Sequence, residues 1–277
     1  MKHPNYFYLE MRTHELEVPY QQRKRRVRVL LPKNYETNAS KHYPVLYMHD
    51  GQNVFYSREA FSGHSWKVIH AIKKNPDIPQ MIIVGIDNDE ENRMNEYSPW
   101  HFANTPLPAG IKLGGKGIEY ADFVMQVVKP FIDSTYRTKS DKQHTAMAGS
   151  SLGGNITQFM GVEYADQIGN LGVFSTASWL TSDAFKRYFN RHPFDPSQRI
   201  FIQVGTQEGD ETDRALMLGN MKQAYINASL TYYQQLIQGG VPIDQIQLVI
   251  AADATHSEEA WATYLPDCLH FLSENWN

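Results

Sequence analysis

One cysteine, Cys268, stands among 277 residues, so an intrachain disulfide is excluded, as is a zinc site of paired cysteines. Neither sign of charge dominates: 26 Lys+Arg against 30 Asp+Glu leave a formal net charge of −4, which offers no general attraction to nucleic acid or to an acidic membrane surface. Long apolar runs are missing too. In MKHPNYFYLEMRTHELEV charged residues interrupt every hydrophobic segment, so neither a signal-peptide core nor a membrane span is expected, and the cytoplasm is the expected compartment. Gly114-Gly115-Lys116-Gly117 lacks the GxxxxGK[ST] spacing and the preceding strand of a phosphate loop, and the acidic run Asp87 to Glu91 lacks the glycine and terminal glutamate of a calcium loop. No HExxH pair occurs. No cofactor and no metal are expected.

What is present describes a packed globule. Hydrophobic residues make up 42% and aromatic residues 12% against 20% charged, a balance incompatible with disorder. No repeat, low-complexity tract or linker divides the chain, so a single domain over 1–277 is expected. Short β-branched runs alternate with longer helical stretches, the pattern of βα units and a mostly parallel sheet with helices on both faces. The expected strands are Arg26 to Leu31, Val45 to Met48, Met81 to Ile86, Thr145 to Gly149, Leu171 to Phe174, Ile200 to Val204 and Ile246 to Ala251. Helices are expected over Glu119 to Tyr136, with a kink from Pro130 near its last turn, over Asp213 to Gln238, and over Ser257 to Asn275 with Ser257 as N-cap. The basic run Arg23 to Arg28 leads into what reads as an edge strand, where charges discourage stray pairing. Two long irregular stretches, 87–117 and 178–199, hold aromatics and prolines and are expected to line or cap a pocket.

The chemistry centres on Gly149-Ser150-Ser151-Leu152-Gly153. Gly-x-Ser-x-Gly carries weight only between a strand and a helix, and that is its setting here. The tight turn requires small residues on both sides and lifts the middle hydroxyl, that of Ser151, above the sheet end. The Leu152 N–H then starts a helix and is free to bind an oxyanion. A serine nucleophile needs a base, and His256 lies just after the last strand and before the last helix. The acid is expected after the penultimate strand, where Glu208 is the first choice and Asp210 the alternative, with Asp213 and Glu211 as acidic first-turn residues of the next helix. A second oxyanion donor is expected from the N–H of Gln52, after Gly51, with His49 and Asp50 shaping the turn. Trp100, Trp179 and Tyr97 are candidates for packing against the substrate. Cys268 is expected to be a buried apolar residue on the last helix.

Taken together, LYMHDGQNVF, IVGIDN followed by Arg93 and Glu96-Tyr97, KPFIDSTYRT, AGSSLGG, VGTQEG and HSEEAW resemble the "Putative esterase" family of α/β-hydrolases. That family includes esterase D, feruloyl and acetylxylan esterases, siderophore trilactone esterases and mycolyltransferases. The resemblance implies an α/β-hydrolase fold and puts Ser151, Glu208 and His256 in the triad positions, with Gln52 and Leu152 in the oxyanion positions. It implies a serine carboxylesterase acting on a small or medium ester through an acyl-enzyme. Acyl transfer, thioester hydrolysis and siderophore trilactone hydrolysis on the same triad are the alternatives, and a non-catalytic binding protein on the same fold is a more remote one. The expected partner is a small-molecule ester rather than nucleic acid or membrane, and a homo-oligomer is open.

Overall fold

The computed structural model describes residues 10–103, 110–209 and 219–276. Eight strands form one sheet in the order β1-β2-β4-β3-β5-β6-β7-β8: β1 (Glu10–Val18), β2 (Arg23–Leu31), β3 (Val45–His49), β4 (Ile82–Ile86), β5 (Thr145–Ser150), β6 (Asn170–Phe174), β7 (Arg199–Gln207) and β8 (Ile246–Thr255). From β4 to β8 every neighbouring pair is parallel, whereas β2 runs antiparallel to both β1 and β4. All seven expected strands are present, in the expected mixed α/β-hydrolase architecture. The five-residue strands β3 and β4 are buried throughout, which is why they read as continuous apolar runs rather than alternating ones.

The eighth strand corrects the reading of the N-terminal region. β1 (EMRTHELEV) is an edge strand with a mostly exposed or half-exposed pattern, and its charges guard the free edge. β2 is therefore an inner strand, and its arginines are not edge charges. Arg25 is 4% and Arg28 6% exposed. Arg25 donates to both carboxylate oxygens of Glu96, at 2.9 and 3.0 Å, and Glu96 also accepts from Tyr20 Oη and Gln21 Nε2. Arg28 binds both oxygens of Asp87, at 2.7 and 2.9 Å, and reaches Glu59. Burial is tolerated because each guanidinium meets a carboxylate in fork geometry.

Because side chains alternate across a strand, β3 sends Val45 and Tyr47 into one core and Leu46 and Met48 into the other. The first core is covered by α3 (Gly117–Phe123), α4 (Lys129–Thr135), α5 (Leu152–Glu163), α6 (Ser182–Phe189) and α7 (Met221–Gln238), the second by α1 (Val68–Lys74) and α8 (Glu258–Ser273); α2 (Arg93–Glu96) is a single turn. Cys268 lies on α8 and is fully buried, and burial pushes its thiol pKa well up. A wide π turn over Val124–Val128 joins α3 and α4, so the irregularity precedes Pro130 by a turn. The proline has no N–H, and its ring would strike the Gln126 carbonyl, which the wider turn moves aside.

Two other expectations shift. The helix expected from Asp213 begins at Met221, where the Asn220 side chain caps it by accepting the Gln223 N–H at 3.3 Å; 210–218 lie outside the described residues. The stretch 178–199 is not irregular throughout. It contains α6, whose Phe185 and Phe189, four apart, turn one face inward. Trp100 packs edge-on against Phe185 at 4.9 Å, and the Ala103 N–H donates to the Leu180 carbonyl. The two long connections thus dock on one another.

Candidate active site

Five consecutive parallel strands, β3, β5, β6, β7 and β8, deliver the candidate residues at their C-terminal ends, where ligands bind on open parallel sheets. Ser151 follows β5 directly. Its backbone sits at φ 58°, ψ −122°, and although it occupies the N-cap position of α5 its side chain makes no capping hydrogen bond. A serine at an N-cap ordinarily spends its hydroxyl on the helix, so this one has been withheld from capping by the turn. The strained turn is secured by main-chain bonds: the Ser151 N–H donates to the Phe174 carbonyl at 2.9 Å, and the Ala177 N–H donates to the Ser151 carbonyl at 3.1 Å. Gly149 is required by close approach, since a Cβ there would lie 2.6 Å from the Gly153 carbonyl. Leu152 is the first residue of α5, and its N–H belongs to the first turn, which has no intrahelical acceptors.

The acid and the histidine meet through strand register. After a shift between Gly205 and Gln207, Gln207 pairs with Thr255, so Glu208 and His256 leave the sheet side by side. Irregularities of this kind re-aim side chains next to functional sites. His256 Nδ1 and Glu208 Oε2 are 2.6 Å apart. Glu208 is 1% exposed, and its other oxygen accepts from Ser175 Oγ at 2.5 Å and from the Gly205 N–H at 2.6 Å. Trp261 Nε1 donates to Ser175 Oγ at 2.8 Å. The imidazole is flanked by the rings of Tyr225 at 4.5 Å and Trp261 at 5.0 Å. The ring orientation is therefore fixed by one carboxylate and two aromatic rings. The alternative acid, Asp210, lies outside the described residues.

The turn after β3 is built on buried charge. Asp50 adopts φ 56°, and its carboxylate receives a bidentate pair from Arg93 at 2.7 and 2.8 Å and a bond from Asn88 Nδ2. Burial pushes the Asp50 carboxyl up, but the Arg93 charge and these donors outweigh it and hold its pKa below the ordinary value. Gly51 cannot be replaced without displacement, because a Cβ would lie 2.6 Å from the Gly85 main chain. Gln52 is half-buried within the Gly51–Asn53 turn, and its side-chain oxygen accepts the Asn88 N–H at 3.0 Å. His49 is 2% exposed and pairs with Tyr120 Oη at 2.8 Å, and burial pushes its pKa down to about 4.

Of the three aromatic candidates, Tyr97 is placed elsewhere. It is fully buried, and its hydroxyl accepts the Asp50 N–H at 3.0 Å, so it supports the turn from beneath instead of lining a pocket. Trp100 packs against Phe159, Phe185 and Tyr188. Trp179 stands edge-on to Tyr225 at 5.8 Å, and Tyr225 in turn packs on His256. Sequence reasoning missed Ser175, Trp261 and Tyr225 as neighbours of the histidine and acid. The one signal available was a polar Ser-Thr pair ending the apolar run LGVF.

The sequence model of the family described as "Putative esterase" matches residues 19–272. The chain belongs to this family and is an esterase-type hydrolase. It is 25% identical over 249 residues to the uncharacterized protein YbbA of Bacillus subtilis (strain 168), covering 90% of this chain and 92% of that one. Among solved structures it is similar to a ferulic acid esterase (TM-score 0.71, 22% identity, 97% of this chain and 99% of that chain). It also resembles an IroE-like serine hydrolase from Shewanella oneidensis (TM-score 0.75, 20% identity, 97% and 81%) and an enterobactin esterase from Shigella flexneri (TM-score 0.70, 17% identity, 97% and 60%). No helix among the described residues is long and apolar enough to cross a membrane.

Proposed function

We propose that the protein is a serine carboxylesterase in which Ser151, His256 and Glu208 form the catalytic triad. The observation that carries this reading is the buried Glu208 carboxylate bonded to His256 Nδ1 at 2.6 Å, at the same C-terminal end of the strands as a serine elbow. With Nδ1–H donated to Glu208, the imidazole keeps Nε2 unprotonated and able to accept the Ser151 proton. The Ser151 oxygen attacks the ester carbonyl, and the N–H groups of Gln52 and Leu152 stabilise the tetrahedral oxyanion, each worth on the order of 3 kcal/mol in the transition state. Collapse breaks the C–O bond, and His256 returns the proton to the departing alcohol. Water, activated by His256, then releases the acid from the acyl-enzyme. No metal or cofactor enters this scheme.

The substrate is a small or medium carboxylic ester. Ferulic acid and enterobactin esterases among its structural neighbours make aryl esters and lactones the first compounds to assay beside short p-nitrophenyl esters. The protein should hydrolyse p-nitrophenyl acetate and take up one equivalent of a fluorophosphonate probe, and Ser151→Ala should abolish both. Labelling that survives Ser151→Ala assigns the nucleophile elsewhere, and turnover no faster than buffer points to a non-catalytic role.

A further inference from the structure

Glu258 follows His256 by two residues, in the first turn of α8, and a solvated first-turn acid would be its ordinary reading. Its contacts are of another kind. One carboxylate oxygen accepts from Asn53 Nδ2 at 2.9 Å, across 205 positions, and the other accepts from Ser62 Oγ at 2.8 Å, across 196. Asn53 is the residue after Gln52 and closes the Gly51–Asn53 turn. It is 7% exposed, and its own oxygen accepts the Phe61 N–H at 3.0 Å.

The sheet order gives these bonds their meaning. Asn53 lies in the turn that follows β3 and Glu258 in the helix that follows β8, and β5, β6 and β7 stand between those two strands. The chain that carries His256 therefore leaves the edge strand β8 and turns back towards β3, where Glu258 reaches the turn that follows it. We propose that Glu258 is a positioning residue: its carboxylate ties the oxyanion turn to the segment bearing His256, so that base and oxyanion donor keep a common geometry about Ser151. This rests on the serine-esterase reading above. Asn53 also holds the main chain at Phe61, an 89% exposed residue, so the 57–65 loop is joined to the same turn.

Glu258→Leu keeps most of the size and removes both acceptor oxygens, so neither the Asn53 amide nor the Ser62 hydroxyl is received; a glutamine could keep both bonds, its oxygen accepting from Asn53 and its NH2 donating to the Ser62 hydroxyl. Misplacing reacting groups by about 1 Å costs on the order of 100-fold, so Glu258→Leu is expected to lower kcat for p-nitrophenyl acetate about 10- to 100-fold with KM nearly unchanged. Glu259→Leu makes the same change in the same turn at an exposed position and should leave kcat within twofold. Ser62→Ala, which breaks one of the two bonds at the surface, should give an intermediate loss and serves if Glu258→Leu fails to fold. Equal effects at 258 and 259 would reduce Glu258 to a helix-terminal charge and overturn the proposal, as would unchanged kcat in both Glu258→Leu and Ser62→Ala. Ser151→Ala is run alongside: if it retains turnover, the failure lies in the triad and not in the tie.

Discussion

Replacing Glu208 by glutamine tests the acid with little disturbance of the fold. Oε1 accepts from Ser175 Oγ and the Gly205 N–H, and a glutamine carbonyl oxygen keeps both bonds, so the side chain should stay in place. The opposite atom changes. Where Oε2 stands 2.6 Å from His256 Nδ1, the variant presents an NH2 group, and two donors cannot face each other. The imidazole resolves the conflict by moving its proton to Nε2, the atom that must receive the proton of Ser151. A triad held in the wrong tautomer loses about 10⁴ in kcat, or about 5 kcal/mol of transition-state stabilisation. The assay is steady-state hydrolysis of p-nitrophenyl acetate near neutral pH, with the melting temperature measured in parallel to show that the protein is folded. A folded Glu208→Gln with less than tenfold loss would refute the argument, and a severe loss in Asp210→Asn beside a mild one in Glu208→Gln would transfer the role to Asp210.

Other consequences follow from the buried groups beneath the site. His49 is held neutral in the fold, with its pKa down to about 4, while the unfolded chain takes up a proton at about 6.5. The contribution is fully present above pH 6.5 and is lost as the pH falls from there towards 4, amounting to about 3 kcal/mol at the lower end. Urea unfolding at pH 7 and pH 4 should show this extra loss in the wild type and not in His49→Gln, and identical pH slopes would contradict it. Arg25→Ala leaves the fully buried Glu96 carboxylate without its cation and should cost about 3–5 kcal/mol in the same assay. A loss below about 1 kcal/mol would mean that the charge has found water.

The parts of the fold that were legible in the sequence are those whose signal is local. Strands such as VLYM and IIVGI are apolar because both faces are covered, and the serine turn announces itself by glycines where helix and strand leave no room for a Cβ. Chain order then points to Glu208 and His256. What escaped depends on distant partners. β1 reads as polar because half of it faces water, and Arg25 and Arg28 of β2 read as surface charge because the carboxylates that neutralise them lie 31 to 71 residues away. Tyr97 lies in the same connection as Trp100, and nothing in the sequence separates a side chain that touches substrate from one that supports the turn below it. Ser175 was invisible for the same reason: its value comes from Glu208 and Trp261, which only folding brings to it.

Strand order also bears on how the chain is made. β5 stands in the middle of the sheet and precedes β7 and β8 in the sequence, so a polypeptide folding as it is synthesised assembles the serine elbow while the segments for acid and base have yet to appear. The Glu258–Asn53 bond forms only once the first turn of α8 has been added. On the proposed mechanism the nascent protein carries a nucleophile without a proton acceptor, and remains chemically silent until its last strand is laid against β7.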